Sequence, residues 1–281
     1  MNEYGILTLC ATPIGNLEDI TYRAVRVMKE AHIIAAEDTR HTRKLLNHFD
    51  INTPLESYHE HNKVSKGPFL IEKLKSGKNI VLVTDAGTPG ISDPGEDIVR
   101  LALEEGIRVT AVPGPVAGII GLIISGQETS RFYFEGFLPL SKKECQIRID
   151  ELSNLTSSII IYEAPHRIKK TINYLHKELG NRSITIAREL TKKYEEVIKM
   201  TLEEALLYFE GKEARGEYVL IIEGTDQEIL DKEARDEWQN ISIEDHMKKY
   251  TDKGIKEKEA MRLVAKDRGV SRRDIYQHIK V

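Results

Sequence analysis

A chain of 281 residues that is 40% hydrophobic has enough apolar material for packed cores; this excludes wholesale disorder and suits two or three domains. Its longest apolar stretch, residues 116–125, is too short to span a bilayer, and its two cysteines lack CxxC spacing, so a reduced, cytoplasmic protein with no membrane span and no secretory signal is expected. The formal charge of −4 divides into 11 basic and 7 acidic residues over 241–281 (+4) and 30 against 38 elsewhere (−8), a basic end on an acidic body that points to a phosphate-bearing partner.

The apolar run Ile6–Cys10 predicts a first strand ending in the turn Thr12-Pro13-Ile14-Gly15-Asn16. Asp19 is placed to cap a helix that turns Ala24, Val25 and Met28 inward. Further strands are predicted at Ile33–Ala36, Leu55–Tyr58, Ile80–Thr84 and Val109–Val112, with helical stretches between them. Such alternation implies right-handed crossovers and a mostly parallel sheet. From Arg131 the pattern changes: strands at Phe132–Glu135, Ile159–Tyr162, Ile184–Arg188, Glu196–Met200 and Tyr218–Ile222 come with fewer helices, which predicts a mixed sheet.

Pro113-Gly114-Pro115 is a natural joint, giving an N-terminal α/β domain over 1–114 and a second α/β domain over 115–224. Residues 224–240 read as an acidic connector with Trp238 near its end. A third, helical unit over 241–281 opens at Ser242, with Asp245 as its capping partner. Within it, Met261–Lys280 fits a helix-turn-helix, with Ala265, Val270 and Ile275 as apolar anchors and Gly269 at the turn. The fold class is therefore α/β, two α/β domains plus a small C-terminal helical unit.

No GxGxxG follows the first strand and no GxxxxGK[ST] is present, so neither a Rossmann nor a P-loop site has support. Without an HExxH, a Cys cluster or an EF-hand loop, no dedicated metal site is expected. What does occur is a set of Gly/Pro-rich turns at the carboxyl ends of strands: residues 12–16, 85–95 and 112–115. Ligands of open α/β sheets bind there, glycine admitting close backbone approach and proline stiffening the turn. The turn from Asp85 to Gly95 holds three Gly, two Pro and two Asp in eleven residues, more than a tight turn requires.

Seven segments then carry a resemblance: TPIGNLEDITYRA (12–24), AAEDTRHTRKLL (35–46), VTDAGTPGISDPG (83–95), AVPGPVA (111–117), FEGFLP (134–139), YEAPHRI (162–168) and ARELTKKYEE (187–196). The chain resembles the tetrapyrrole-methylase superfamily and, within it, the small-subunit ribosomal RNA methyltransferase I family. One departure is visible: Val116 stands where the family's joint, VPGPSA, has serine.

The resemblance implies two α/β domains with S-adenosylmethionine (SAM) in the cleft between them, and methyl transfer to the 2′-hydroxyl of a decoding-region cytidine in 16S rRNA within the small ribosomal subunit. It implies cofactor contacts from Pro13, Asp85, Gly87, Thr88, Pro89, Ile91, Ser92, Val116 and Ala117, and from Tyr162, Glu163, Glu189, Leu190 and Gly216. A homodimer is expected on the same ground.

Such chemistry needs a proton acceptor, for which Glu37, Asp38, His59, Glu163, His166 and Glu189 are candidates. Asp38 reads better as a helix cap. Glu37 is proposed as the base, Arg40 as the holder of the adjacent phosphate, and His166 as the next base to consider. Arg40, Arg43, Lys44, Arg167, Arg188, Lys192 and Lys193 beside the motif loops, and Arg268, Arg272, Arg273 and Lys280 in the C-terminal unit, are candidate RNA contacts. Phe134 and Phe137 read as core. The competing functions are a small-molecule, tetrapyrrole-type SAM methylase and a SAM-sensing nucleic-acid-binding regulator that transfers no methyl group.

Overall fold

The structure, a computed structural model, describes residues 4–239 and 241–279, and its chain divides into two compact units. The first comprises residues 1–149 and 158–223, the second 150–157 and 224–281. Among the described residues no helix is long and apolar enough to cross a membrane.

The first unit begins with strictly alternating elements: β1 (Leu7–Cys10), α1 (Tyr22–Glu30), β2 (Ile33–Ala36), α2 (Thr39–His48), β3 (Leu55–Ser57), α3 (Lys63–Lys75), β4 (Ile80–Val83), α4 (Gly95–Glu104) and β5 (Val109–Val112). The five strands pair only in parallel, in the order β3-β2-β4-β1-β5. The strand period of two explains why both faces are covered. Leu7, Ala35, Ile80 and Leu82 pack on Leu70, Leu74, Ile98 and Ala102 of α3 and α4. Their neighbours Cys10, Ile34, Ala36, Val81 and Val83 pack on Ala24, Met28 and Leu46 of α1 and α2. The helix expected from Asp19 starts instead at Tyr22, because the Thr21 hydroxyl, not Asp19, accepts from the Ala24 N–H (3.0 Å). Asp19 ends a single 3₁₀ turn.

After Pro113-Gly114-Pro115 the chain forms α5 (Ala117–Ser125), β6 (Phe132–Phe137), α6 (Lys142–Ser153), β7 (Ser158–Glu163), α7 (Ile168–Leu179), β8 (Ser183–Arg188), β9 (Glu196–Thr201), α8 (Leu202–Phe209) and β10 (Tyr218–Ile222). The second sheet is mixed, in the order β6-β7-β10-β8-β9, with β6 and β7 parallel and the other pairs antiparallel. β10 is its central strand and all five of its residues are buried. α5 packs on this sheet through Leu122, against Ile160, Ala187, Val219 and Ile221. Phe134 is half-buried on the same cluster, but Phe137, expected in the core, is 53% exposed. The register shift between Phe134 and Gly136 puts Phe137 on the same side of the sheet as Phe134, against Tyr162, where it borders an open space instead of the core.

In the second unit the expected acidic connector is a helix, α9 (Gln227–Gln239), followed by α10 (Ile243–Thr251), α11 (Glu257–Asp267) and α12 (Arg272–Ile279). Ser242 caps α10 by accepting from the Asp245 N–H (3.0 Å). Ala265 and Ile275 anchor α11 and α12 as expected, whereas Val270 is 44% exposed. Arg268 is not a surface cation: it donates to the Ile241 and Ser242 carbonyls and to His246 Nδ1 (3.2 Å). Lys280 lies outside the described residues.

His246 is wholly buried, stacked on Trp238 at 3.7 Å between centroids, with Nε2 3.2 Å from Asp267 Oδ2. Burial foremost, with Arg268 and Lys249 adding to it, lowers its pKa below the ordinary 6.5 despite Asp267. The unfolded chain therefore binds this proton more readily than the folded one, so stability is full above pH 6.5 and falls as the pH drops below that value. The fluorescence of Trp238, the chain's only tryptophan, is expected to report acid loosening of this unit that His246→Gln weakens. Melting curves independent of pH between neutral and mildly acidic buffer would contradict this.

Candidate functional site

The turns after β1 and β4 are tied together by an isolated two-residue bridge. Thr12 N–H donates to Gly87 O (2.9 Å), Gly87 N–H to Thr12 O (3.0 Å), and Thr12 Oγ1 to Thr84 O (3.2 Å). Gly87 has φ +85°, a conformation costly to any side-chain-bearing residue, and a Cβ there would press on Ile14 and the Pro115 carbonyl, both at 3.4 Å. Gly114 is required by proximity: a Cβ on it would lie 2.5 Å from that of Ala11. The chain thus passes from the first sheet to the second directly beside the end of β1.

Between these turns and the ends of β7 and β10 lies a cavity of about 450 Å³. Of the residues expected at a cofactor, it brings together Asp85, Gly87, Thr88, Ile91, Ser92, Val116, Ala117, Tyr162 and Glu163. Pro13 lines an adjoining trough that shares Ile14, Asp85, Ala86 and Glu217 with the cavity. Pro89, Glu189, Leu190 and Gly216 line neither. Leu190 is buried beside Ala187. Glu189 and Gly216 set the start of β10: a Cβ on Gly216 would strike Glu189 Cγ at 2.5 Å, and Glu189 Oε1 accepts from the Glu217 N–H (3.0 Å) and Lys192 Nζ (2.9 Å). Burial raises the Glu189 carboxyl, but these donors outweigh it and hold the pKa below its ordinary value.

Sequence reasoning missed Thr84, Phe137 and the trio Glu217, Tyr218 and Val219, which complete the wall. Phe137 and Tyr162 meet edge to face at 5.7 Å, and the Tyr162 hydroxyl accepts from the Gly118 N–H (2.9 Å). Desolvation keeps that hydroxyl protonated by raising its pKa. The Glu163 side chain turns away into the core, where it accepts from Thr171 Oγ1 (2.5 Å) and the Ala164 N–H (2.8 Å) and lies 3.4 Å from Arg167. The side chain is wholly buried, so Glu163 leaves only backbone to the cavity.

The three residues proposed for catalysis are not wall residues. Glu37 stands one step behind the wall: Thr84 Oγ1, on the cavity, donates to Glu37 Oε2 (3.2 Å). Burial first, then the charges of Asp85 and Asp93, raise its pKa above the usual 4.5, against the Thr84 hydrogen bond and His59. Arg40 does not reach Glu37; it pairs with Asp38 (3.1 Å), its side chain 90% exposed, and holds that carboxyl down at about 2. Asp38 caps α2 by accepting from the Arg40 and His41 N–H groups, as expected. His166 is exposed in the turn before α7. Among the described residues no group of three His, Cys, Asp or Glu side chains is disposed to hold a metal.

Over residues 7–206 the chain matches the sequence profile of the Tetrapyrrole (Corrin/Porphyrin) Methylases. The chain belongs to the tetrapyrrole methylase family. It is 49% identical over 275 residues to ribosomal RNA small subunit methyltransferase I of Halalkalibacterium halodurans, covering 98% of this chain and 94% of that one. To the protein of the same name from Bacillus subtilis it is 47% identical, covering 99% and 96%. Among solved structures it is similar to diphthine synthase (TM-score 0.60, 15% identity, covering 78% and 89%). It is also similar to uroporphyrin-III C-methyltransferase from Thermus thermophilus complexed with S-adenosyl homocysteine (TM-score 0.54, 18% identity, covering 78% and 97%). At those identities the likeness is one of fold.

For a tetrapyrrole methylase the informative departure is Val116, the N-cap of α5. Its backbone is extended (φ −131°, ψ 109°), as an N-cap requires, but its own side chain caps nothing, and of the first-turn N–H groups the Tyr162 hydroxyl takes that of Gly118. The positive dipole end of α5 therefore borders the cavity at Val116 and Ala117, with the Tyr162 hydroxyl on one of its N–H groups and no N-cap side chain on the others. Val116→Ser is expected to stabilise the protein by about 1 kcal/mol, the usual worth of an N-cap hydroxyl, read as a higher melting temperature. An unchanged or lower value would mean that the half-buried valine methyls matter more than the cap.

Proposed function

We propose that the chain methylates the ribose 2′-hydroxyl of a decoding-region cytidine in 16S rRNA of the small ribosomal subunit, with SAM as donor. The observation that carries the chemistry is Glu37, a carboxylate of raised pKa joined to the cavity through the Thr84 hydroxyl. The substrate class is supported by relatives 47–49% identical over nearly the whole chain, whose names specify small-subunit rRNA.

The cavity fits a sulfonium donor. Its volume of about 450 Å³ suits a small ligand, and Gly87 offers bare backbone. The aromatic rings of Phe137 and Tyr162 on its wall suit a cation, and the start of α5, which has no N-cap side chain, suits a carboxylate. When bound, SAM supplies an electrophilic methyl group. The chain's own part is to orient the hydroxyl and take its proton. Thr84 Oγ1 accepts that proton as its own passes to Glu37, so the hydroxyl hydrogen ends on the carboxylate. A pKa above 4.5 makes Glu37 a stronger acceptor than an ordinary carboxylate.

The competing small-molecule reading has behind it the description of the family profile and a fold shared at 18% identity, against relatives 47–49% identical whose names specify rRNA. The regulator reading loses Arg268, whose guanidinium is engaged inside the C-terminal unit.

Tritiated SAM incubated with small subunits from a strain lacking this methylation is expected to label 16S rRNA, with mass spectrometry of the nucleosides placing the methyl on a cytidine 2′-oxygen. Label on a base, or in no RNA, would overturn the reading. Glu37→Gln is expected to lower turnover on the order of 10²-fold with SAM affinity intact. The wild-type rate should fall with acid along a limb lying above pH 4.5, where Glu37 becomes protonated. Wild-type turnover in Glu37→Gln would move the acceptor role to Asp85, a carboxylate that lines the cavity without a lysine or arginine partner among the described residues.

A further inference from the structure

Beside the cofactor cavity lies the trough of about 590 Å³ whose one wall is a single face of α2. His41, Lys44, Leu45 and His48 line it, at the i, i+3, i+4, i+7 spacing that stacks side chains along one helix face. The opposite wall is the turn Thr12–Gly15 with Lys192. That wall is fixed: a Cβ on Gly15 would lie 2.5 Å from Lys192 Cγ, and the Asn16 N–H donates to Thr191 Oγ1 (3.1 Å).

The charge of α2 is out of keeping with its surroundings. Thr39–His48 reads TRHTRKLLNH, with three Lys/Arg, two His and no acid, in a body of net charge −8. The cations near the motif loops are otherwise mostly engaged. Arg40 pairs with Asp38, Arg167 with Glu163 and the Leu138 carbonyl, and Arg188 with Glu196. Lys192 lies between Glu189 and Glu217, each at 2.9 Å. Lys193 sits over the Tyr194 ring. Arg43 and Lys44 remain without a carboxylate partner among the described residues, and of these two only Lys44 lines the trough.

We propose that this trough is a phosphodiester site for RNA. It holds the backbone next to the ribose being modified, with Lys44 on the phosphate and His41 and His48 as flanking donors along α2. This rests on the RNA-methylating reading above. The four residues shared by trough and cavity make the two spaces neighbours, so a strand whose ribose enters the cavity has its next phosphate within reach of α2. Lys192, paired with Glu189 and Glu217, closes the far side without competing for the anion, which leaves Lys44, among the described residues, as the trough's unpaired cation.

The test is co-sedimentation of the full-length protein with purified small ribosomal subunits over a series of salt concentrations, with calorimetric SAM affinity as the check that each variant is folded. Lys44→Ala is expected to weaken subunit binding several-fold at low salt and to flatten the slope of log affinity against log salt by about one phosphate contact, roughly 0.7. Lys44→Arg should restore the slope, and SAM affinity should be the same in all three proteins. Binding and salt slope equal to wild type in Lys44→Ala, or no binding of the wild type itself, overturns the phosphate site. If binding depends on Lys44 but the wild type transfers no methyl group to the RNA, the site stands and the functional reading falls.

Discussion

The pair of hydrogen bonds between Thr12 and Gly87 sets the geometry from which the rest of the site follows. Two adjacent parallel strands, β1 and β4, end side by side, and their continuations would ordinarily diverge as separate loops. Locking them together with one bridge and the Thr12 hydroxyl turns two loops into one rim. The rim costs backbone freedom, which only glycine can give at φ +85°, and it leaves the remaining strand ends open as a pocket floor. Every wall residue contributed by the first sheet hangs from this rim or lies within a few residues of it.

The electrostatics of the site depend on the same rim. Asp85 follows the end of β4, and its carboxylate accepts from the Asp38 N–H (3.0 Å), so the start of α2 is held to the β4 turn. That contact places Glu37 where Asp85 and Asp93 raise its pKa, and it aims the acid-free helix α2 along the edge of the adjoining trough. Acidic groups thus gather at the proton-accepting corner and basic groups one helix turn away. The separation arises because Asp38 is spent on capping and on Arg40, and Asp85 on the loop contact, so neither offsets Arg43 or Lys44 of α2.

The fold was readable because its signals are local and periodic. Four buried residues in β4, a Gly/Pro turn at each strand end and the change of pattern after Arg131 each depend only on neighbours in sequence. The misreadings share a cause, since each turned on a partner distant in sequence or on a shift of a single residue. Phe137 looks like core, but the irregularity at Phe134/Gly136 sets it beside Tyr162 on the wall of the open cavity. Arg268 looks like a phosphate ligand until His246 and two carbonyls from the start of α10 claim it. Glu163 sits in a motif yet turns inward because Thr171, one helix further on, satisfies it. Residues 226–239 are acidic enough to read as a linker, but their acids lie at helical spacing with Ile229, Leu230 and Trp238. At the site, the glycines and prolines betrayed the loops; at the start of β10 the resemblance pointed to Gly216, and the residues that line the cavity are its neighbours Glu217–Val219.

The order of strands in the second sheet bears on how the protein is made. β10 is the last strand in the chain but the middle one in its sheet, hydrogen-bonded to β7 on one side and β8 on the other. A nascent chain that has emerged only as far as α8 therefore carries two half-sheets with no strand between them, each exposing a row of unpaired backbone groups and apolar side chains. The first sheet faces no such delay, because all its strands are complete by Val112. Synthesis thus delivers a folded N-terminal half well before the second can close, and the cavity gains its Glu217–Val219 wall only in the step that completes that sheet.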